Sequence, residues 1–178
     1  GTGLLWLPVA THQPISVLSA AFTATSAVTV TGLNVVDTGN YTTFGQLVII
    51  ALIQFGGLGF MTFAILVLTS LQGKMGLSGS MTAQEALGTH GNQIGSTAKS
   101  VIKIAFLTEF LGFLGLTWCL LPLKGLKDAM YEAFFLSISA FNNSGFALTG
   151  DNMTAYVHTP MISFIISLLI MMGGIGFL

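Results

Sequence analysis

Two long apolar segments without charge constrain the fold of this chain more than any other feature. No Asp, Glu, Lys or Arg occurs from Leu47 to Leu71 or from Pro160 to Leu178. About 20 apolar residues in an α-helix cross the roughly 30 Å hydrocarbon core of a bilayer. Only 6% of the residues are charged and 53% are hydrophobic, whereas about 25% of an ordinary soluble domain is charged. The sequence therefore predicts an all-α membrane protein with several spans.

A third apolar segment, from Val101 to Leu123, is also predicted to span, although it contains Lys103 and Glu109. An ionisable residue inside a span is costly and is functional by default. Glu109 lies outside the polar strips described below, so a hydrogen-bonded role in helix packing is favoured over ion binding. Residues 1–9 are apolar over only half a span, and we interpret them as the end of a helix.

Two further apolar segments, Ile15 to Val28 and Ala129 to Phe141, are too short to cross. At 1.5 Å per residue, each reaches about 20 Å. Each would enter the membrane partway and continue into non-helical backbone, which is tolerated at that depth only where it is buried in protein or lines a water-filled cavity. Turn-forming residues follow at 37–40 and 150–152. This order predicts a half-helix, a polar strip, a return loop and a span.

The chain contains an internal repeat of this arrangement. Residues 26–36 are echoed by residues 139–149, 113 positions later, and Gly56-Gly57-Leu58-Gly59-Phe60 returns as Gly173-Gly174-Ile175-Gly176-Phe177. The period is too long for the common solenoid repeats. We therefore predict helix–pore loop–helix units around an ion pore, related to the pore architecture of potassium channels.

The repeat also predicts the domain organisation. Residues 1–71 would form one pore unit and residues 101–178 a second, with residues 72–100 as a cytoplasmic connection. The distribution of Lys residues favours this orientation only weakly under the positive-inside rule. The symmetry of the repeat favours it more strongly, because both half-helices must enter from the same side.

The two polar strips, residues 29–33 and 142–146, are the candidate ion filter. A dehydrated cation needs a ring of oxygens, and backbone carbonyls supply them without a fixed charge that would trap the ion. Glycine leaves the path open and can adopt backbone angles that aim neighbouring carbonyls at the axis. The predicted filter residues are Thr29, Val30, Thr31, Gly32, Leu33, Asn142, Asn143, Ser144, Gly145 and Phe146. A purely structural pair of glycine turns is the less favoured alternative.

Other chemistry finds little support in the sequence. There is no pattern typical of a catalytic triad, a carboxylate pair, a phosphate loop or a basic nucleic-acid surface, so we expect neither an enzyme nor a nucleic-acid-binding protein, and no cofactor. His12, His90 and His158 are not spaced as metal ligands, and Cys119 is the single cysteine. Asp37 is equally well explained as a turn former or as an attractor of cations at the pore mouth.

The run from Ala24 to Leu33, the segment from Gln54 to Thr62 and the run from Ser137 to Phe146 together resemble the Trk/Ktr/HKT superfamily of potassium transporters, and most closely its Ktr ion-translocating subunits. The resemblance covers essentially the whole chain. It implies four helix–pore loop–helix units in one polypeptide, with one filter glycine in each. Gly32 and Gly145 account for two, so the chain resembles about half of such a pore.

The resemblance also implies partners and location. It implies potassium as the transported ion, a multi-pass protein of the plasma membrane, contact with the remaining pore units, a homodimer and a cytoplasmic nucleotide-binding regulatory ring. The connection at residues 72–100 has few charges and several glycines, which departs from the basic inner loop of that superfamily. Coupling to sodium or protons stays open, and a non-conducting membrane scaffold or truncated subunit is the alternative function.

Overall fold

The computed structural model describes residues 1–74, 83–150 and 153–175, with side chains in those ranges except at residues 60–99, 155 and 175. Regular structure within these ranges is helical, and one isolated β-bridge joins Thr11 to Tyr41. The helices are α1 (Thr2–Trp6), α2 (Val17–Val28), α3 (Thr43–Lys74), α4 (Ala83–Lys124), α5 (Leu126–Phe141) and α6 (Pro160–Ile175). The prediction of an all-helical fold is confirmed for the described residues.

The two short helices are those expected from the short apolar segments. Helix α2 begins after Ser16, whose Oγ accepts a hydrogen bond from the backbone N–H of Ser19 at 3.1 Å, as an N-cap residue does. Helix α5 begins at Leu126, before the predicted Ala129, and includes Asp128 in its first turn. An acidic side chain is favourable there because of the helix dipole.

The long helices extend beyond the predicted spans. Helix α3 continues to Lys74 and α4 begins at Ala83, so most of the described backbone of the predicted connection at residues 72–100 is helical. Residues 75–82 lie outside the described residues. The described residues also leave out the predicted turn residues Asp151 and Asn152. They leave out residues 176–178, the end of the predicted span that contains the second glycine motif.

One helical segment in the described part of the chain, Ser100–Lys124, is long and apolar enough to cross a membrane, with a mean hydropathy of 1.9. Val17–Val28, Thr43–Gly59 and Pro160–Gly174 are shorter apolar helical segments. The side chains of α3 are described only as far as Gly59. The predicted span Leu47–Leu71 lies within α3. The predicted span Pro160–Leu178 begins with α6 and is described as far as Ile175.

The helices form two neighbouring groups. Helices α1, α2 and α3 pack together around Leu5, Ala24 and Ile53, and helices α4, α5 and α6 pack around Leu116, Ala133 and Ile162. The first cluster also includes Phe135, Ile138 and Phe146 from the second group. Burial of these side chains fixes the C-terminal end of α5 beside α2 and α3, which brings the two polar strips together.

Candidate functional site

The two polar strips leave their short helices through the same backbone hydrogen bonds. In the first strip, Thr31 N–H donates to the carbonyl of Ser26 at 2.9 Å and Val30 N–H to Ala27 at 3.3 Å. The equivalent bonds in the second strip are Ser144 N–H to Ser139 at 2.9 Å and Asn143 N–H to Ala140 at 3.0 Å. Every partner is displaced by the same 113 positions, so the repeated sequence has a repeated local structure.

Positive backbone angles also recur at that spacing. Val30 and Asn143 have φ of 56° and 57°, and Gly32 and Gly145 have φ of 79° and 72°. Glycine adopts this region without a steric penalty, whereas a β-branched residue such as Val rarely does. Because residues with positive φ alternate with residues without it along each strip, successive carbonyl groups point in directions that a helix or strand does not allow.

Gly32 and Gly145 bring the two strips into contact. A Cβ atom built on Gly32 would fall on the carbonyl oxygen of Ser144 and lie 3.2 Å from the Cα of Gly145. A Cβ on Gly145 would lie 3.5 Å from the Cα of Gly32. The two predicted filter glycines, far apart in sequence, are therefore neighbours in space.

The remaining predicted filter residues are placed less symmetrically. Leu33 is 60% exposed, whereas Phe146 is 3% exposed and lies in the hydrophobic core. Ser144, which is part of the second strip, is fully buried against α5. The backbones of the strips are equivalent, but their outer ends have different surroundings among the described residues.

A cavity of about 630 Å³ lies where the strips, α3, α4 and α6 meet. The described residues that line it are uncharged. Helices α2 and α5 both end on this cavity, and the C-terminal end of a helix carries partial negative charge. The cavity therefore presents an uncharged wall with dipoles that favour a cation. It is lined by Val28, Thr29, Val30, Gly56, Gly57, Leu58, Val101, Phe141, Asn142, Asn143, Gly173 and Gly174.

Glycines in the longer helices allow this close packing. A Cβ on Gly56 would fall on the carbonyl oxygen of Val28, and a Cβ on Gly173 would fall on that of Phe141. These are equivalent contacts in the two repeats, since each joins the glycine motif to the last residue of its own short helix. The motif therefore acts as a helix-packing element at these two positions.

Side-chain hydroxyl groups brace the strips from behind. Ser139 Oγ donates to the carbonyl of Phe146 at 2.5 Å and lies 2.8 Å from Ser144 Oγ. In the first strip, Thr29 Oγ1 donates to the carbonyl of Thr25 at 2.8 Å and lies 2.7 Å from Thr31 Oγ1. The bracing uses different side chains in the two repeats, although the backbone path is shared.

Glu109 joins the second strip to two long helices. It is 4% exposed, and both of its carboxylate oxygens accept from Gln54 Nε2, at 2.9 and 3.0 Å. Asn142 Nδ2 donates to Gln54 Oε1 at 3.0 Å and lies 3.3 Å from Glu109 Oε1. The expected hydrogen-bonded packing role of Glu109 is confirmed. Sequence reasoning did not identify Gln54, whose only signal was a polar side chain in an otherwise apolar span.

The return loops meet above the strips. The carbonyl of Asp37 accepts from Asn40 N–H at 2.9 Å, at the start of a short 3₁₀ helix, Thr38–Asn40. A Cβ on Gly150 would lie 3.5 Å from Asp37 Oδ2, and one on Gly39 would lie 3.0 Å from the carbonyl of Leu148. Asp37 therefore has the predicted turn role, and its exposed carboxylate lies beside the loop of the other repeat.

A second buried carboxylate lies farther from the strips. Glu132 is 5% exposed; its Oε2 accepts from Lys124 Nζ at 2.6 Å, and its Oε1 accepts from the hydroxyl of Tyr156. Burial raises the pKa of Tyr156, and the charge and hydrogen bond of Glu132 raise it further, while Lys124 acts in the opposite direction. This cluster ties the end of α4 and the second return loop to α5.

The fold and the repeated strips agree with a known class of protein. The model of the TrkH family, described as cation transport protein, matches residues 1–178. The chain belongs to this family of cation transport proteins, which confirms the Trk/Ktr/HKT resemblance inferred from the strips and the glycine motif.

Individual relatives are potassium uptake proteins by name. The chain is 47% identical to Ktr system potassium uptake protein B of Bacillus subtilis (strain 168), over 99% of this chain and 40% of that protein. It is 41% identical to Ktr system potassium uptake protein B of Vibrio alginolyticus, over 98% of this chain and 39% of that protein. It is 34% identical to the potassium/sodium uptake protein NtpJ of Enterococcus hirae, over 100% of this chain and 40% of that protein. The chain thus spans about 40% of the length of these curated relatives.

Proposed function

We propose that this chain forms part of the wall of a potassium-conducting pore, with a filter lined by backbone carbonyls. The observation that carries the proposal is the meeting of two equivalent strips at Gly32 and Gly145. Two unrelated glycine turns are not expected to share positive φ angles and backbone hydrogen bonds, or to lie in contact. Equivalent units arranged around a pore account for the angles, the hydrogen bonds and the contact.

The proposed mechanism follows from the cost of removing water from an ion. A cation passing alongside the two adjoining strips, within a ring that further units complete, loses part of its hydration shell, and carbonyl oxygens at residues 29–33 and 142–146 replace the water oxygens. The cavity of about 630 Å³ on the helix C-terminal side then lets the ion regain water. Because the described residues that line the cavity carry no fixed charge, they attract the ion by dipoles and do not trap it.

The names of the relatives support potassium as the transported ion, since Ktr system potassium uptake protein B is similar over nearly the whole of this chain. The name of NtpJ includes both potassium and sodium, so the choice of ion is a matter for measurement. Transport driven by the electrochemical gradient or coupled to sodium or protons is compatible with the same strips.

We place the chain in the plasma membrane as part of a multi-pass protein. Exposed apolar side chains along α4, including Phe106, Phe110 and Trp118, support contact with lipid or with further transmembrane helices. The proposed partners are the remaining pore units of a longer polypeptide, a second copy of that polypeptide and a cytoplasmic nucleotide-binding ring. The word "system" in the names of the Ktr relatives is in keeping with such partners.

The alternative is a non-conducting membrane scaffold or truncated subunit. In its favour, two strips can line only half of a fourfold filter. The two proposals make different predictions for substitutions in the strips, since in a scaffold such a substitution can change folding and abundance but not ion preference.

Potassium uptake by the full-length gene product tests the proposal, in a strain that lacks its own potassium uptake systems. Gly32→Ser and Gly145→Ser are compared with Gly59→Ser, a matched control because no atom of the described residues, apart from α3 itself, lies within 4 Å of a Cβ at Gly59. At equal membrane abundance, we expect uptake or potassium preference to fall in both filter variants and not in the control. Unchanged uptake in both filter variants would favour the scaffold.

A further inference from the structure

The C-terminal end of each short helix carries a polar residue that differs between the repeats. Thr29 and Asn142 occupy equivalent positions after α2 and α5. Among the described side chains, the hydroxyl of Thr29 bonds to Thr25 and Thr31, within its own repeat. The amide of Asn142 bonds to the carbonyl of Ile138 at 2.9 Å and also reaches Gln54 and Glu109. The second strip is therefore connected to α3 and α4 through its first side chain.

The carboxylate of Glu109 fixes the direction of these hydrogen bonds. An ionised carboxylate only accepts hydrogen bonds, whereas a primary amide both donates and accepts. Both oxygens of Glu109 accept from Gln54 Nε2, which leaves Gln54 Oε1 to accept from Asn142 Nδ2. One acceptor-only group thus sets the orientation of two amides in series.

The result is a defined orientation for the amide oxygen of Asn142. With its nitrogen directed at Gln54 and Ile138, its Oδ1 lies against Gly57 of α3, where a Cβ atom would collide with it. Asn142 and Gly57 both line the cavity of about 630 Å³. The amide oxygen is thus held against α3 at the edge of the cavity, where the second strip begins.

We propose that Glu109 is a positioning residue for ion selectivity: through Gln54 it holds the Asn142 amide oxygen against Gly57, at the edge of the cavity, where cations pass between cavity and strips. This inference rests on the proposed function. An oxygen dipole held in one direction contributes to cation preference, because its position does not adjust freely to ions of different size. An amide free to turn would present either its oxygen or its NH₂ group.

The experiment measures the ratio of rubidium to sodium uptake by the full-length gene product with its partners, in cells lacking other potassium uptake systems. Three variants are compared: Glu109→Gln, Gln54→Met, and the exchange Gln54→Glu with Glu109→Gln. Gln54→Met introduces the residue that occupies the equivalent place in the second repeat, Met171. The exchange moves the acceptor-only group to position 54, where it still accepts from Asn142 Nδ2.

We expect the ratio to fall about fivefold in both single variants, the size of effect that corresponds to one hydrogen bond, and to recover in the exchange. Glu132→Gln is the matched control, since Glu132 is also a buried carboxylate but bonds to Lys124 and Tyr156 away from the strips. It should lower membrane abundance without changing the ratio. A purely structural role for Glu109 would likewise change abundance and leave the ratio unaltered.

An unchanged ratio in Glu109→Gln and Gln54→Met overturns the inference, as does a reduced ratio that the exchange leaves unrecovered. If one single variant fails to reach the membrane, the uptake ratios of the other single variant and of the exchange decide whether the inference holds. Absence of uptake by the unsubstituted protein would instead count against the proposed function, so the two failures are distinguishable.

Discussion

Gly32 and Gly145 lie in contact, with a Cβ on Gly32 placed only 3.2 Å from the Cα of Gly145. Both have positive φ, but their surroundings differ, because a Cβ on Gly32 would also fall on the carbonyl oxygen of Ser144. A Cβ on Gly145 meets only the Cα of Gly32, at an ordinary contact distance of 3.5 Å. The first glycine is therefore required for its backbone angles and for space, and the second mainly for its backbone angles.

This difference predicts unequal costs for the two alanine substitutions. Gly145→Ala should destabilise the protein by about 1–2 kcal/mol, the cost of a non-glycine residue in the left-handed region. Gly32→Ala should cost more, because the strip must also move away from Ser144. Thermal unfolding of the purified full-length protein in detergent measures both. Equal midpoints would contradict the close approach of the strips at Gly32.

The glycines of the repeated helix motif give a second prediction. Gly56→Ala and Gly173→Ala should each destabilise the protein, because the new Cβ would fall on the carbonyl oxygen of Val28 or Phe141. The cost should reach about 1–3 kcal/mol, as for other overpacked sites. Gly59→Ala is the control, since a Cβ there meets none of the described residues outside α3 within 4 Å and alanine is the better helix former. Its unfolding midpoint should equal or exceed that of the unsubstituted protein; a similar loss in all three variants would refute the packing argument.

Much of this arrangement could be predicted from the sequence, for identifiable reasons. The short helices were predicted because apolar residues 15–28 and 129–141 are too few to span, and the structure has helices at Val17–Val28 and Leu126–Phe141. The equivalence of the strips followed from their sequence echo.

Other features depend on tertiary contacts that no local pattern reveals. The association of Gln54, Glu109 and Asn142 joins three elements that are distant in sequence, so neither periodicity nor spacing could predict it. The different burial of Leu33 and Phe146 likewise reflects which neighbours each repeat has. The extension of α3 to Lys74 and of α4 back to Ala83 was missed because polar and glycine residues reduce local helix propensity without preventing a helix.

Val30 provides a third prediction, because a β-branched residue at φ of 56° is strained. Asn143 has nearly the same angle, 57°, at the equivalent place, and Asn tolerates the left-handed region better than Val. Val30→Asn should therefore stabilise the protein by about 1 kcal/mol, seen as a higher unfolding midpoint. Asn143→Val, the reciprocal substitution, should lower it. A lower midpoint for Val30→Asn would mean that Val30 is held by apolar contacts worth more than its backbone strain.

The two equivalent serines at the ends of the short helices give the last prediction. Ser139 Oγ donates to the carbonyl of Phe146 and bonds to Ser144 Oγ, whereas the buried Oγ of Ser26 has no hydrogen-bond partner within the part of the chain that the structure describes. Removing a buried hydroxyl leaves its partners unsatisfied at a cost of about 1–3 kcal/mol, so Ser139→Ala should be destabilising by that amount. Ser26→Ala removes no such bond and should be neutral or slightly stabilising.

Urea unfolding of the full-length protein, with both variants in the same detergent, checks this pair. The informative quantity is the difference between the two substitutions, because serine and alanine differ equally in size and helix propensity at both sites. A large loss for Ser26→Ala would show that its hydroxyl has a partner elsewhere in the full-length protein, and the bracing of the two strips would then be symmetric. A loss confined to Ser139→Ala would establish that the repeats share a backbone path but hold it by different side chains.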